Sequence, residues 1–344
     1  MNKNLLIIGY CHLADGFLYA SKALENKEVT IFFFPYFSYI MDNILEKDEI
    51  LIQFIKKNNI DICLWWNNSI KSESIIYIKS ALSKKTHILF NWDPALYEYE
   101  KYNALCWKER IDEKHKIFPL MDKVLTCFEK EIMVFKKIDP NFPIYYNPPG
   151  FDPLISKYEY DENYICDISI VSTNLYHYNA EFPPESTNIS RYEIVNKLYE
   201  NRSEIKFHFY GPERFRDLYP DCYKGFIKYD ECNKVFSNSK INLSIHPMIY
   251  ELNSQEKSNA EYFSERVPQI LGCSGLLMTN SYFSQILKKN EDYIYIDKNN
   301  DWFEKIIDIV SNSEKYDNVR KSGFEKALEN YQWSNWAETI INSL

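Results

Sequence analysis

Short β-branched and aromatic runs alternate along the chain with longer stretches of helical period, and this alternation predicts βαβ units with mostly parallel sheets. In the first half, residues 5–8, 29–34, 60–65, 87–91, 123–126 and 144–146 read as strands, with helical stretches such as 16–25, 48–57 and 72–82 between them. The expected result is a Rossmann-like sheet of about six strands. The run Asn147-Pro148-Pro149-Gly150-Phe151-Asp152-Pro153 then interrupts the pattern, because its prolines and glycine fit neither a helix nor a central strand. Beyond it the alternation restarts. Strands are predicted at 165–171, 206–210, 241–245, 276–279 and 293–296, and helices at 192–200, 231–237, 262–271, 302–311, 319–330 and 334–344.

A chain of 344 residues accommodates two such domains. The expected division is 1–147, 148–330 and a final helix over 331–344 that packs back on the first domain. Two Rossmann-like halves predict an α/β protein with a cleft between them, and ligands in such sheets bind at the carboxyl ends of the strands. With 45% hydrophobic and 17% aromatic residues, each half can bury a core.

The charge balance of 40 basic against 49 acidic residues excludes a general nucleic-acid binder but not a phosphorylated small molecule. Eight cysteines are scattered without a CxxC or zinc spacing, which predicts free buried thiols in the reducing cytoplasm and no metal site. The apolar run near the N-terminus is too short for a signal-peptide core, and no apolar stretch reaches transmembrane length.

The most informative stretch is Glu261-Tyr-Phe-Ser-Glu265-Arg266-Val-Pro268-Gln269-Ile-Leu-Gly272-Cys-Ser274-Gly275-Leu-Leu-Met-Thr279. Polar groups crowd a helix N-terminus, an apolar helix follows, and a small-residue turn leads into a buried strand. Pro268 fits the first helical turn, with Glu265 and Arg266 just ahead of the helix. A helix N-terminus facing a cleft is a ready anion site. An ordinary helix–strand junction is the structural alternative.

From Lys240 onward the chain resembles the C-terminal domain of GT-B glycosyltransferases, especially the CgeB-like group. The strand Lys240-Ile-Asn-Leu-Ser-Ile-His246 is of that kind. Arg266, Ile270, Ser274, Gly275, Leu276, Leu277 and Thr279 fit, in order, an Arg-x-x-Glu-Ile-x-x-x-Gly-Gly segment and a Leu-Leu-x-Thr strand. Related enzymes carry two glutamates separated by seven residues, the first facing the donor sugar and the second holding the nucleotide ribose. Glu261 and Gln269 stand at that spacing, so the second member is an amide here. The resemblance implies a first domain for the acceptor and a second for a nucleotide-diphosphate sugar, used as co-substrate without a metal or other cofactor.

Further candidates follow. Asp93, in Asn91-Trp92-Asp93-Pro94 at a strand end, positions or deprotonates an acceptor hydroxyl, or else only caps a turn. His12, in the loop after the first strand, is a base, an acceptor contact or a surface residue without a role. For the donor diphosphate, Arg266 is the first choice, Arg191 the second and Arg214 the third. Glu265, Gly211, Ser274, Gly275 and His246, which ends a strand, complete the expected donor-binding set. The segment Phe226-Ile227-Lys228-Tyr229 resembles the part that GT-B proteins place beside the nucleobase.

The leading expectation is sugar transfer from a nucleotide sugar to a hydroxyl on a glycan, lipid or protein-linked sugar. A sugar-nucleotide epimerase and a catalytically silent binding protein are the alternatives. Retention and inversion both stay open.

Overall fold

The computed structural model of the protein describes residues 3–9, 16–25, 27, 29–36, 44–66, 70–91, 105–172, 191–245, 263–283, 286–297 and 301–342. The chain forms two compact units, Met1–Pro148 together with Trp336–Leu344, and Pro149–Asn335.

The first unit contains β1 (Lys3–Ile8), α1 (Gly16–Glu25), β2 (Val29–Phe34), α2 (Ile44–Lys57), β3 (Ile62–Trp66), α3 (Ser72–Ala81), β4 (Thr86–Asn91), α4 (Leu105–Ile117), β5 (Lys123–Thr126), α5 (Glu129–Ile138) and β6 (Ile144–Tyr146). The strands lie in the order β2-β1-β3-β4-β5-β6, and every pair is parallel. Helices on a parallel sheet bury both faces of its central strands, so these read as unbroken apolar runs. All five residues of β3 are buried, whereas edge strand β2 exposes Thr30 and Phe33.

The second unit contains β7 (Cys166–Val171), α6 (Arg191–Glu200), β8 (Phe207–Tyr210), β9 (Tyr223–Gly225), α7 (Cys232–Ser237), β10 (Ser239–Ser244), α8 (Arg266–Gly272), β11 (Leu277–Thr279), β12 (Ile294–Tyr295), α9 (Trp302–Ser311) and α10 (Asp317–Asn330). Its sheet is also six-stranded and parallel, in the order β12-β11-β10-β7-β8-β9. On one face a core joins Ile194, Val195 and Leu198 of α6 and Ile306 and Ile309 of α9 to strand residues Ile168, Phe209, Ile241 and Met278. Helices α7, α8 and α10 pack together elsewhere on the unit.

The chain passes between the units twice, at Pro148–Pro149 and at Asn335–Trp336. Inside the second unit these two segments are stitched together. Phe151 N–H donates to Tyr331 O at 2.9 Å, and Trp333 N–H donates to Phe151 O at 3.0 Å. A Cβ on Gly150 would stand 2.6 Å from Trp333 N, so only glycine permits this approach. The last helix, α11 (Trp333–Ile341), carries Trp336, whose ring packs within the first unit at 5.5 Å from both Trp66 and Phe90.

Two elements differ from expectation. Strand β9 carries no apolar run, since Tyr-Lys-Gly offers nothing that marks a strand. Helix α8 begins at Arg266 and not at 262, because Phe263 and Ser264 stay non-helical while the Phe263 ring packs against Phe283 and Tyr331 at 5.2 and 4.6 Å.

Candidate functional site

In the second sheet β7 leads to β8 and β9 on one side, while β10, β11 and β12 build out on the other. The strand order therefore reverses between β7 and β10, and a crevice at such a switch point is where open α/β sheets bind ligands. Arg191, the first residue of α6, spans the carboxyl ends of these two strands. Its Nε donates to Ile245 O at 2.8 Å, its Nη2 donates to the same carbonyl, and its Nη1 donates to Ser172 Oγ at 2.7 Å. The side chain is 5% exposed, so a fixed positive charge sits just under the crevice. These three bonds tie the guanidinium to the protein frame. Gly211, at the end of β8, lets the backbone close on Ser172 O, which any Cβ would strike.

The two ends of α8 do different work. At the start, Glu265 precedes the helix and Arg266 opens it, both half-buried at the carboxyl edge of the sheet. Pro268 lies in the first turn, where its missing N–H has no intrahelical partner to lose. At the far end the chain forms a Schellman turn: Gly275 N–H bonds Ile270 O and Ser274 N–H bonds Leu271 O, both at 2.9 Å. Ser274 takes the left-handed conformation at φ 56°, the position that usually holds glycine. Gly275 is required by close approach, since a Cβ would come 2.7 Å from Asn242 Nδ2 and 2.9 Å from Ile270 O. Ser274 and Gly275, expected among the donor contacts, thus terminate the helix at the amino edge of the strands, about 10 Å from Arg266 by helix rise.

Beside the start of α8, the hydroxyl of Tyr229 lies within reach of Glu265, Gln269 and Trp333. Burial pushes the Tyr229 phenol well above its ordinary pKa, and the Glu265 charge adds to the shift. The phenol is therefore neutral across the physiological range. Gln269 is 3% exposed, and its Nε2 completes no hydrogen bond. Tyr229 belongs to the segment that resembled a nucleobase neighbour. Trp333 had no such signal, because 64 residues separate it from Gln269 in the sequence.

Unit one presents a buried polar group at the carboxyl ends of β4 and β5. Glu131 accepts from Asn91 Nδ2 at 2.8 Å and from Thr126 Oγ1 at 2.6 Å, and all three residues are fully buried. Thr126 Oγ1 in turn accepts from Phe128 N–H at 3.1 Å. Asp93, His12, His246 and Glu261 lie outside the described residues. Asn91 is thus the last described residue before Asp93.

Among the described residues no group of three or more His, Cys, Asp and Glu is placed to hold a metal ion. A cavity of about 410 Å³ lies at the start of α9, lined by Asn290, Tyr295, Asp301, Glu304, Lys305 and Asp308. Its three carboxylates make it a poor seat for phosphate. Among the described residues no helix is long and apolar enough to cross a membrane.

Residues 191–342 match a family model described as glycosyl transferase-like. No curated protein sequence matches the chain. Among solved structures, sucrose-phosphate synthase from Thermosynechococcus elongatus is similar over 99% of this chain and 98% of its own, at 10% identity and a TM-score of 0.67. Anabaena HepE in complex with UDP and glucose is similar over 100% and 99%, at 8% identity and 0.66. UDP-GlcNAc 2-epimerase from Neisseria meningitidis, bound to UDP-GlcNAc, is similar over 99% of both chains, at 10% identity and 0.56. The chain has the GT-B fold of two Rossmann-like α/β units that these structures share, and its residues 191–342 match the glycosyl transferase-like model.

Proposed function

We propose that this protein transfers a sugar from a nucleoside-diphosphate sugar to a hydroxyl acceptor, with the donor held on the second unit. The observation that carries this reading is the arrangement at the β7/β10 switch point, where Arg191 and β10 belong to the stretch that matches the transferase model and β7 precedes it. Arg191 sets a buried positive charge there, and Arg266 adds a second cation at the start of α8. As the glycosidic bond breaks, negative charge grows on the departing diphosphate, and cations fixed beforehand stabilise it. Transfer needs no bound metal in this account, because the two arginines meet that charge.

The first unit takes the acceptor, and Asp93 or His12 supplies the base if the sugar inverts. Glu261 faces the donor sugar, and His246 and Gly211 border the diphosphate. The CgeB-like grouping is a narrower form of the same reading. A cytoplasmic location agrees with six described cysteines that are all buried free thiols.

The epimerase reading is kept because a UDP-GlcNAc 2-epimerase shares the fold. The two separate in one experiment. The protein is incubated with UDP-, GDP- and ADP-sugars and a mixture of glycan acceptors, and the products are followed by NMR. Transfer predicts release of the nucleoside diphosphate with a new glycosidic signal, lost in Arg266→Ala. An epimerase inverts one sugar carbon of the intact donor, and a silent binding protein changes nothing.

A further inference from the structure

We propose that the β2 edge of the first unit is an interface for a second copy of this chain, in which two β2 strands pair antiparallel about a twofold axis and join their sheets into one. This contact does not depend on the donor reading above.

An edge strand is hydrogen-bonded on one side only, and its outer N–H and C=O groups can pair with any strand that reaches them. Of the four edges formed by the described strands, three are short: β6 has 3 residues, β9 has 3 and β12 has 2. The fourth, β2, runs for 6 residues as Val-Thr-Ile-Phe-Phe-Phe. It carries no charge, no proline and no glycine, and its side chains are β-branched or aromatic throughout. Shortness, charge and proline are the usual guards of a free edge, and β2 has none of them.

The backbone sets a register for this pairing. Gly9 N–H donates to Phe34 O, so the even-numbered backbone groups of β2 face β1 and those of Val29, Ile31 and Phe33 face outward. Opposed residues in an antiparallel pair share one face of the sheet, so a twofold pairing must centre on a single residue. Centring on Ile31 sets Val29 opposite Phe33 of the second copy. All three outward residues are then used, for about six N–H···O bonds. The Phe33 ring, 40% exposed, comes to lie beside that valine.

Charge on α2 is complementary under the same axis. Phe54 of α2 packs against Phe32 and Phe34 at 6.4 and 5.4 Å, which lays the helix along the even-numbered face of the edge strand. Glu46 and Glu49 are exposed near the start of α2, and Lys56 and Lys57 are exposed at its end. A twofold axis normal to the sheet brings two α2 helices antiparallel on one face, so the acidic start of each meets the basic end of the other. Ile44 and Leu45, 54% and 59% exposed at that start, add apolar surface for the contact to cover.

Sedimentation of the full chain from about 1 to 100 µM tests this, with circular dichroism to confirm that each variant is folded. The wild-type chain of 41.2 kDa is expected to sediment at twice that mass, with a Kd of about 10 µM or tighter. Phe33→Lys places a charge on the edge and should weaken the dimer at least tenfold. Ile31→Pro removes an outward N–H and no bond to β1, and should do the same. Glu46→Lys should weaken the dimer about fivefold, and adding Lys56→Glu should recover most of that loss. These two helix-surface exchanges decide the matter if an edge variant does not fold. A wild-type chain that is monomeric at 100 µM overturns the inference. So does a dimer of unchanged affinity in folded Phe33→Lys, or a Glu46→Lys loss that Lys56→Glu deepens.

Discussion

The carboxyl edges of the two sheets are built alike in strands and opposite in charge. In the second unit the buried ion at the strand ends is a cation, Arg191, tying Ile245 O to Ser172 Oγ. In the first it is an acid, Glu131, gathering Asn91 and Thr126. Arg191 donates to a carbonyl and a hydroxyl, and Glu131 accepts from an amide and a hydroxyl, which fixes the position of each. A positive strand end suits a diphosphate. An acidic one suits an alcohol whose proton must leave. Under the proposed donor and acceptor roles, each strand end would meet its own ligand chemistry.

The largest expected effect comes from Arg191→Ala. It leaves the Ile245 carbonyl and Ser172 hydroxyl buried without their donor and removes the packed stem, costing about 4 kcal/mol by denaturant titration. Arg191→Lys keeps the charge but loses the forked geometry, so it should recover nucleotide affinity better than stability. Equal loss in both measurements would break the assignment of Arg191 as frame and field together.

Acid should strike both units through one histidine each. Burial, then the Lys79 charge, lowers His87 to about 4; burial, then Lys224, lowers His208 to about 4. His87 Nδ1 also accepts from Trp65 Nε1 at 3.2 Å, a bond that protonation abolishes. Both folded values lie below the unfolded value of 6.5, so the unfolded chain binds the extra protons. The stabilisation is complete above about pH 6.5 and is lost as pH falls through about 4, amounting to ~3 kcal/mol per histidine. Denaturant curves at pH 7 and 4.5 should converge in His87→Gln and His208→Gln, and curves no closer than in the wild type would contradict it.

Glu131→Gln gives an intermediate effect. One lone-pair acceptor becomes a donor facing Asn91 and Thr126, at a cost of about 2 kcal/mol in the first unit's melting transition. The smallest effect is a gain. Ser274→Gly relieves a left-handed serine at φ 56° and should raise stability by about 1 kcal/mol, with nucleotide affinity unchanged. A fall in affinity would return Ser274 to the donor contacts.

Strands were legible because buried parallel strands are continuous apolar runs. Residues 29–34, 123–126 and 144–146 fall on β2, β5 and β6 to the residue. Strand β9 was illegible because its edge position demands no apolar side chains. The start of α8 was displaced because an aromatic contact to Tyr331, far along the chain, holds Phe263 out of the helix. Residues whose spacing is local, Glu265, Arg266 and Gln269, stand together at the start of α8 as the sequence implied. The frame bonds of Arg191 were not legible, because its partner Ile245 lies 54 residues away and leaves no local trace. Ser274 and Gly275 were expected among the donor contacts from their order in the motif, and residue order does not show that they close the turn at the end of α8.

The donor nucleotide is proposed to bind the second unit at its strand ends. Hydrogen–deuterium exchange with and without saturating UDP or GDP tests it most directly. Slowed exchange is expected in peptides covering residues 226–231 and 263–272, and this protection should disappear in Arg266→Ala. Protection confined to peptides of residues 3–146, or protection at 263–272 that survives Arg266→Ala, would contradict it.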